Sequence, residues 1–398
     1  MVTQSWSARF ERMSESATAA VFRRVAELRA QGVDLVSLSV GEPDFDPPPH
    51  VSAAAKAAID AGASRYTEVA GLRALREAIC EDSLCRRGVE HSPDQVLVSA
   101  GAKHSLFNLA QVLYDHGDEV VVPVPAWVTY AEQAKLCGAR PVLVPCARED
   151  GYLVRPESLQ AALSARTRAV VLCTPSNPTG AAYDAEQLRA LAAVLEDSQA
   201  YVIVDEIYAT LTYDGFEQRS LLSLAPALRE RLIVVDGVSK RFAMTGYRVG
   251  WMLAPREVAR ACEAIQSQAT TSIAAVSQHA AIAALTGPQE PVGAMGEIFR
   301  TRRDRLLAGL GGVPGLSVSR PQGAFYLFAD VGAAIERAAA VGVRDDVGLA
   351  TWLLEQARVA LVPGTAFGAP GHLRFSYAAS EQELDRAVER LGEALARF

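Results

Sequence analysis

The sequence predicts an α/β protein with a mostly parallel central sheet covered by helices, plus a smaller α+β domain. Three observations predict it. Between about residues 90 and 255 short β-rich runs alternate with helical stretches. Those runs are continuously apolar rather than apolar on every second residue, and after about residue 286 the alternation stops. Strands that are apolar on both sides are buried on both faces, the condition of a parallel sheet between two helix layers.

Taken in order, "QVLVS" leads into a helix from about Lys103, and "DEVVVPV" into one after Trp127. "RAVVLC" precedes a helix over 184–198, and "YVIVDE" is followed by "LIVVDG" and "YRVGWML". Past residue 286 a long charged helix around 288–310 precedes "GAFYLFADV", a helix near 346–357, "VALVPG", "LRFSY" and a final helix. The early stretch "VDLVSLSVGEPDF" is expected to pack with this second layer. The expected boundaries are therefore 46–286 for a large domain, with 1–45 and 287–398 forming a small domain from both chain ends.

Composition narrows the function classes. With 398 residues, 50% apolar and 21% charged, the chain has ordinary globular composition and room for two domains. A net charge of -7 argues against nucleic acid, which selects a basic face. The six cysteines contain no CxxC and read as reduced thiols of a cytoplasmic protein. The six histidines show neither HxxxH nor HExxH, so no metal site is expected. The N-terminus is charged throughout, unlike a secretory signal, and no apolar run reaches the ~18 residues of a membrane helix.

In such sheets ligands gather at the carboxyl ends of the strands, and four polar clusters fall there. In "SAGAKHS" (99–105) small residues lead into a helix whose first N–H groups suit a phosphate; the plain alternative is an ordinary helix start. "TPSNPTG" (174–180) is a rigid turn that either is only structural or aims the Asn177 amide into a site. In "VDEIY" (204–208) Asp205 is expected to be buried, needing either an ion-pair partner or a protonated ligand nitrogen. In "VVDGVSKRFAMTGYRVGW" (234–251) Lys240 is a solvated loop lysine or a nucleophile, and Arg248 a surface arginine or a phosphate clamp. Taken together, an anion cradle, an amide, a buried aspartate, an aromatic hydroxyl, a lysine and an arginine suit a phosphate-bearing aldehyde with a cationic ring. That cofactor is pyridoxal 5′-phosphate.

The chain resembles the fold-type I, pyridoxal phosphate-dependent class I aminotransferases, particularly bacterial aspartate and aspartate/prephenate enzymes. The resemblance runs through "SVGEPDFDPP", "RYTEVAGLRALREAI", "SAGAKHSLFN", "VPVPAWVTY", "TPSNPTG", "VDEIY", "VSKRFAMTGYRVGW", "PQGAFYLF", "VPGTAFG" and "HLRFSYA". It implies that Lys240 carries the cofactor and then acts as base and acid. It also implies that Asp205 keeps the ring nitrogen protonated, while Asn177 and Tyr208 hold the ring's phenolic oxygen. Trp127 matches the stacking aromatic. Gly101, Ala102 and Lys103, with Ser239 and Arg248, match the phosphate cradle. Tyr66 matches a tyrosine that reaches the neighbouring subunit's phosphate, which implies a homodimer with shared sites. Arg374 matches the grip on the substrate α-carboxylate, aided by Asn177 and the Gly41 backbone, and the Asn177–Pro178 bond is expected to be cis.

For the substrate, Lys103 matches a lysine that reads a distal carboxylate in one bacterial subgroup, and Thr18 matches a pocket-lining threonine. The implied reaction is ping-pong transfer of an amino group between aspartate or glutamate and a 2-oxo acid. Departures are "GAKHS", where glycine-glycine and a glutamine are common in the subgroup, and His104, placed to reshape the pocket edge. The rivals are an aminotransferase for aromatic, prephenate-like or specialised substrates, a β-lyase with the same cofactor, and a regulatory protein on the same fold. The last is disfavoured because the chain has no basic helix and every catalytic position is filled.

Overall fold

The structure, a computed structural model, describes residues 6–13 and 17–397. Its first strand is β1 (Val36–Ser37). Seven strands then build the main sheet: β2 (Val96–Ser99), β3 (Glu119–Val124), β4 (Arg140–Pro145), β5 (Thr167–Cys173), β6 (Tyr201–Asp205), β7 (Leu232–Gly237) and β8 (Gly250–Leu253). The remaining strands are β9 (Ser317–Val318), β10 (Tyr326–Asp330), β11 (Val359–Ala360), β12 (Val362–Pro363) and β13 (His372–Ser376).

The main sheet has the order β2-β8-β7-β6-β5-β3-β4. Only β8 runs against its neighbours, β2 and β7; the other pairings are parallel. Strand side chains alternate between faces, and here both faces are apolar. Val120, Val122, Val171, Ile203, Ile233 and Val235 meet the helices Ala102–Leu113, Thr129–Cys137 and Arg256–Ala269 on one side. Val121, Val170, Val202, Val204 and Val234 meet Pro49–Asp60, Arg73–Arg87, Ala185–Glu196 and Ala275–Thr286 on the other. Each such aliphatic side chain, once fully buried, contributes roughly 1.5–3 kcal/mol.

The sequence reading omits β4, "RPVLVP". Its two prolines cannot donate to a ladder, which confines such a segment to a sheet edge. It pairs only with β3, and Leu143 stays 48% exposed. "VALVPG" likewise divides into β11 and β12, which belong to different sheets.

β12, β13, β10 and β9 form an antiparallel sheet packed on the helices Glu290–Leu310, Asp346–Gln356 and Glu381–Leu395 through Phe299, Leu306, Leu353 and Leu391. β1 pairs in parallel with β11, and Ser376 N–H donates to the Leu38 carbonyl at 2.8 Å. These bonds bring Ser39 and Gly41 over the edge of the main sheet. Ile207, Tyr208, Leu211 and Tyr213, from the loop after β6, enter the same apolar cluster as Phe325 and Phe375.

Strand direction decides what meets at that edge. The carboxyl ends of β2, β3, β5, β6 and β7 all point to it. Because β8 runs the other way, the residues before it, including Arg248, reach the same place. All six cysteines are free; Cys262 is buried and Cys85 is exposed. Among the described residues no helix is long and apolar enough to cross a membrane.

Candidate active site

A cleft of about 1280 Å³ opens at the carboxyl edge of the main sheet. Gly41, Ala102, Lys103, Trp127, Asn177, Asp205, Tyr208, Ser239, Lys240, Arg248 and Arg374 all line it.

Lys240 sits in the single helical turn Val238–Arg241 that follows β7. Its Nζ donates to the Gly41 carbonyl at 2.6 Å. Burial pushes its pKa down to about 8, with Glu42 opposing and Arg248 and Arg374 adding to the fall. An amine so placed is readily freed of its proton.

Asp205 ends β6 and is 1% exposed. One carboxylate oxygen accepts from the Tyr130 hydroxyl at 2.7 Å and the other from the Ile207 N–H at 3.1 Å. Burial raises its pKa to about 6 against those two bonds, and the charges of Asp236 and Glu206 push the same way as burial. Among the described residues no lysine or arginine forms an ion pair with it. Tyr208, three residues on, holds its hydroxyl 3.0 Å from that of Tyr326, and burial raises its pKa well above the usual tyrosine value.

Arg374 comes from β13 and is 3% exposed. Its guanidinium donates to Asn177 Oδ1 at 2.9 Å and to the Ser39 carbonyl at 2.6 Å. It lies 4.6 Å from the Tyr326 ring and 5.0 Å from that of Phe367. Its Nε has no hydrogen-bond partner, and no carboxylate pairs with it among the described residues. A buried guanidinium without a counter-ion is costly, and burial accordingly lowers its pKa. The Asn177–Pro178 bond is cis, as are Val124–Pro125 and Thr174–Pro175.

Gly101, with φ 90°, starts the helix that carries Ala102 and Lys103, and a Cβ there would strike the Arg248 guanidinium. Gly250 faces the same turn, where a Cβ would strike the backbone of Gly101 and Ala102. The Arg248 guanidinium donates to the Thr245 carbonyl at 2.7 Å and the Ala100 carbonyl at 3.2 Å. Trp127 lies edge-on to Tyr130 at 5.6 Å, and Lys103 Nζ stands 4.7 Å over the Trp127 ring. Desolvation by the cleft wall, and then Arg248, lower the Lys103 pKa.

Gly101, Tyr66 and His104 do not line this cleft. Tyr66 is 88% exposed and does not line it. Thr18 is in the helix Ala17–Ala30, but its side chain lies outside the described residues. His104 turns away, accepting from the Ala100 N–H at 3.1 Å. Conversely, Tyr130, Cys173, Tyr326 and Phe367 line the cleft without being singled out in the sequence. Tyr130 and Tyr326 do lie inside "VPVPAWVTY" and "PQGAFYLF", so the motif boundaries, read residue by residue, contain the signal.

Behind the cleft runs a buried ionic chain that sequence reading missed. Ser220 donates to Glu206 at 2.6 Å, and Arg87 bridges Glu206 at 2.8 Å and Asp236 at 2.6 Å. Arg86 joins Asp236 at 2.7 Å to Asp82 at 2.6 Å, and Arg241 joins Asp82 to Gln289, each at 2.6 Å. Two of its members, Glu206 and Arg241, adjoin Asp205 and Lys240 in the sequence.

The donor set fits a phosphate-bearing cationic ring. Asp205 is an acceptor with no cation of its own, the Gly101 turn packs against Arg248 only because it lacks a side chain, and Arg374 keeps an unpartnered Nε for an anion.

The sequence profile of the family described as "Aminotransferase class I and II" matches residues 33–391. The chain is 43% identical over 379 residues to the aspartate aminotransferase of Geobacillus stearothermophilus, covering 95% of this chain and 96% of that protein. It is also 43% identical over 394 residues to the aspartate/prephenate aminotransferase of Thermus thermophilus, covering 98% and 99%. The crystal structure of the aspartate aminotransferase from Rhizobium meliloti superposes with a TM-score of 0.94 at 39% identity, covering 99% of both chains.

Proposed function

This chain belongs to the class I and II aminotransferase family, and on that premise we propose how its own residues carry out the transfer and on what. It is an aminotransferase, moving an amino group between an amino acid and a 2-oxo acid. We infer pyridoxal 5′-phosphate as the cofactor and aspartate or glutamate as the amino donor. The observation that carries this reading is one cleft holding a lysine at about pKa 8, a cation-free buried aspartate and a buried arginine without a counter-ion.

When bound, the cofactor supplies an electron sink that makes the amino acid's Cα–H acidic. Lys240 would hold it through its Nζ and, as a free amine, would move the proton at the donor's Cα as base and then acid. Asp205 keeps the ring nitrogen protonated. Asn177 gives its Oδ1 to Arg374, which leaves its Nδ2 to donate to the ring's phenolic oxygen together with Tyr208. Gly101, Ala102, Ser239 and Arg248 hold the phosphate by N–H, hydroxyl and guanidinium groups, and Trp127 covers the ring. Arg374 grips the α-carboxylate, a bidentate task that suits a guanidinium.

Lys103 reads the distal carboxylate, and relatives named for aspartate support this choice. A second reading, aromatic or prephenate-like donors, is favoured by the apolar Phe10, Met13, Phe107 and Leu136 in the same cleft and by a relative named for aspartate and prephenate. We assign residues 46–286 to the cofactor domain, and 1–45 with 287–398 to the small one. Tyr66, 88% exposed on this chain, is assigned to a second copy's phosphate in a homodimer. The free thiols fit a cytoplasmic protein.

The test is a half-reaction screen: cofactor-loaded protein is mixed with single amino acids while the visible absorbance of the cofactor is followed. Aspartate and glutamate are expected to discharge it fastest. Conversion by aromatic amino acids alone selects the second reading. Release of pyruvate and ammonia from a β-substituted amino acid identifies a lyase, and no response to any amino acid overturns the assignment.

A further inference from the structure

Tyr326 belongs to none of the roles above, yet it touches three of them. Its hydroxyl lies 3.0 Å from that of Tyr208, and a Cβ on Gly41 would lie 3.0 Å from the same oxygen. Its ring lies 4.6 Å from the Arg374 guanidinium. Tyr326 is fully buried at the start of β10, so its hydroxyl has no bulk water as an alternative partner.

We propose that Tyr326 is a positioning residue that donates its hydroxyl proton to Tyr208, thereby aiming the Tyr208 proton at the cofactor's phenolic oxygen. The inference rests on the assignment of Tyr208 to that oxygen. A tyrosine hydroxyl carries one proton and accepts through its oxygen. If Tyr208 gives its proton to the cofactor, the 3.0 Å contact leaves Tyr326 as the donor. A donor feeding the Tyr208 oxygen fixes the direction of that hydroxyl and makes its proton the stronger donor. The close approach of Gly41 confines the Tyr326 oxygen, and the carbonyl of the same Gly41 receives Lys240 Nζ at 2.6 Å. One small residue thus sets both the phenol relay and the amine. The ring face is a separate device, holding Arg374 between Tyr326 and Phe367.

The two devices separate by substitution. Tyr326→Phe keeps the ring and removes the hydroxyl. A weaker donation leaves the phenolic oxygen a better proton acceptor, so the bound cofactor keeps its titrating proton to higher pH. The pH midpoint of its visible absorbance is expected to rise by roughly half a unit. Affinity for a substrate-like dicarboxylate, maleate, is expected to stay within about twofold, because the ring under Arg374 is unchanged. Tyr326→Leu is expected to move the midpoint and also weaken maleate about tenfold or more. Tyr208→Phe is the control, expected to shift the midpoint further than Tyr326→Phe and to make the second substitution silent in the double variant. A midpoint that moves in Tyr208→Phe but not in Tyr326→Phe overturns the relay and leaves the proposed function standing. Additive shifts in the double variant overturn it too. A parent protein that shows no cofactor absorbance after loading overturns both.

Discussion

The Tyr130 hydroxyl donates to Asp205 across a 2.7 Å contact, and Asp205 has no cationic partner among the described residues. The cleft therefore keeps a carboxylate that is oriented but not neutralised, with its pKa raised to about 6 by burial.

Asp205→Asn is expected to stabilise the cofactor-free protein at pH 7 while abolishing turnover. The folded pKa of about 6 lies above the ordinary aspartate value of 3.8, so the residue's favourable contribution is complete below about 3.8 and is lost as pH rises through 6. The gain at pH 7 is roughly 2–3 kcal/mol and vanishes near pH 4. The Tyr130 hydroxyl can turn to accept from the new amide. Thermal unfolding at the two pH values reads the difference.

Lys240 titrates with the opposite slope. Its folded pKa of about 8 lies below 10.5, so between those values the unfolded chain holds a proton that the folded chain has released. Stability from this residue therefore rises with pH across that window, and below pH 8 it carries a penalty. Lys240→Met is expected to abolish turnover. It should also raise cofactor-free stability at pH 7 by roughly 2 kcal/mol, the amine still facing an open cleft. Urea midpoints of the two proteins should converge by pH 10.

Lys103→Ala is expected to raise KM for aspartate and glutamate about 10–100-fold, the worth of a hydrogen bond to a charged group. Aromatic amino acids should change by less than about twofold, since the apolar wall is untouched. Equal losses on both classes would make Lys103 a cofactor ligand instead of a distal reader.

Arg87→Met leaves Glu206 and Asp236 buried without their shared guanidinium. The expected loss is about 3–5 kcal/mol in urea unfolding. Adding Glu206→Gln should recover part of it, because Asp236 keeps Arg86 and Glu206 is the charge left without a cation. No recovery would place the cost in lost packing.

The fold was largely legible because both faces of the main sheet are apolar, so β3, β5, β6 and β7 read as unbroken runs of Val, Ile and Leu. β4 escaped because an edge strand needs neither burial nor a full set of donors, and "RPVLVP" lacks both. Many cleft-lining residues were legible because the motifs that carry them end strands. Tyr130 and Tyr326 were not, since a buried tyrosine looks like core until its hydroxyl partner is known. The Arg87–Asp236 pair joins positions 149 residues apart, and local patterning holds no trace of such a meeting. Tyr66 is 88% exposed, and its proposed target belongs to a second copy.

Arg374 is the latest residue in the chain to enter the cleft, carried on β13 and held by Ser39 and Asn177. During synthesis, the segments proposed to seat the cofactor, up to Arg248, leave the ribosome well before it. The last strand to emerge must insert between β12 and β10, where it pairs with both. Insertion fastens the beginning of the chain to its end through Ser39. Completion of the antiparallel sheet and placement of Arg374 in the cleft are thereby one event.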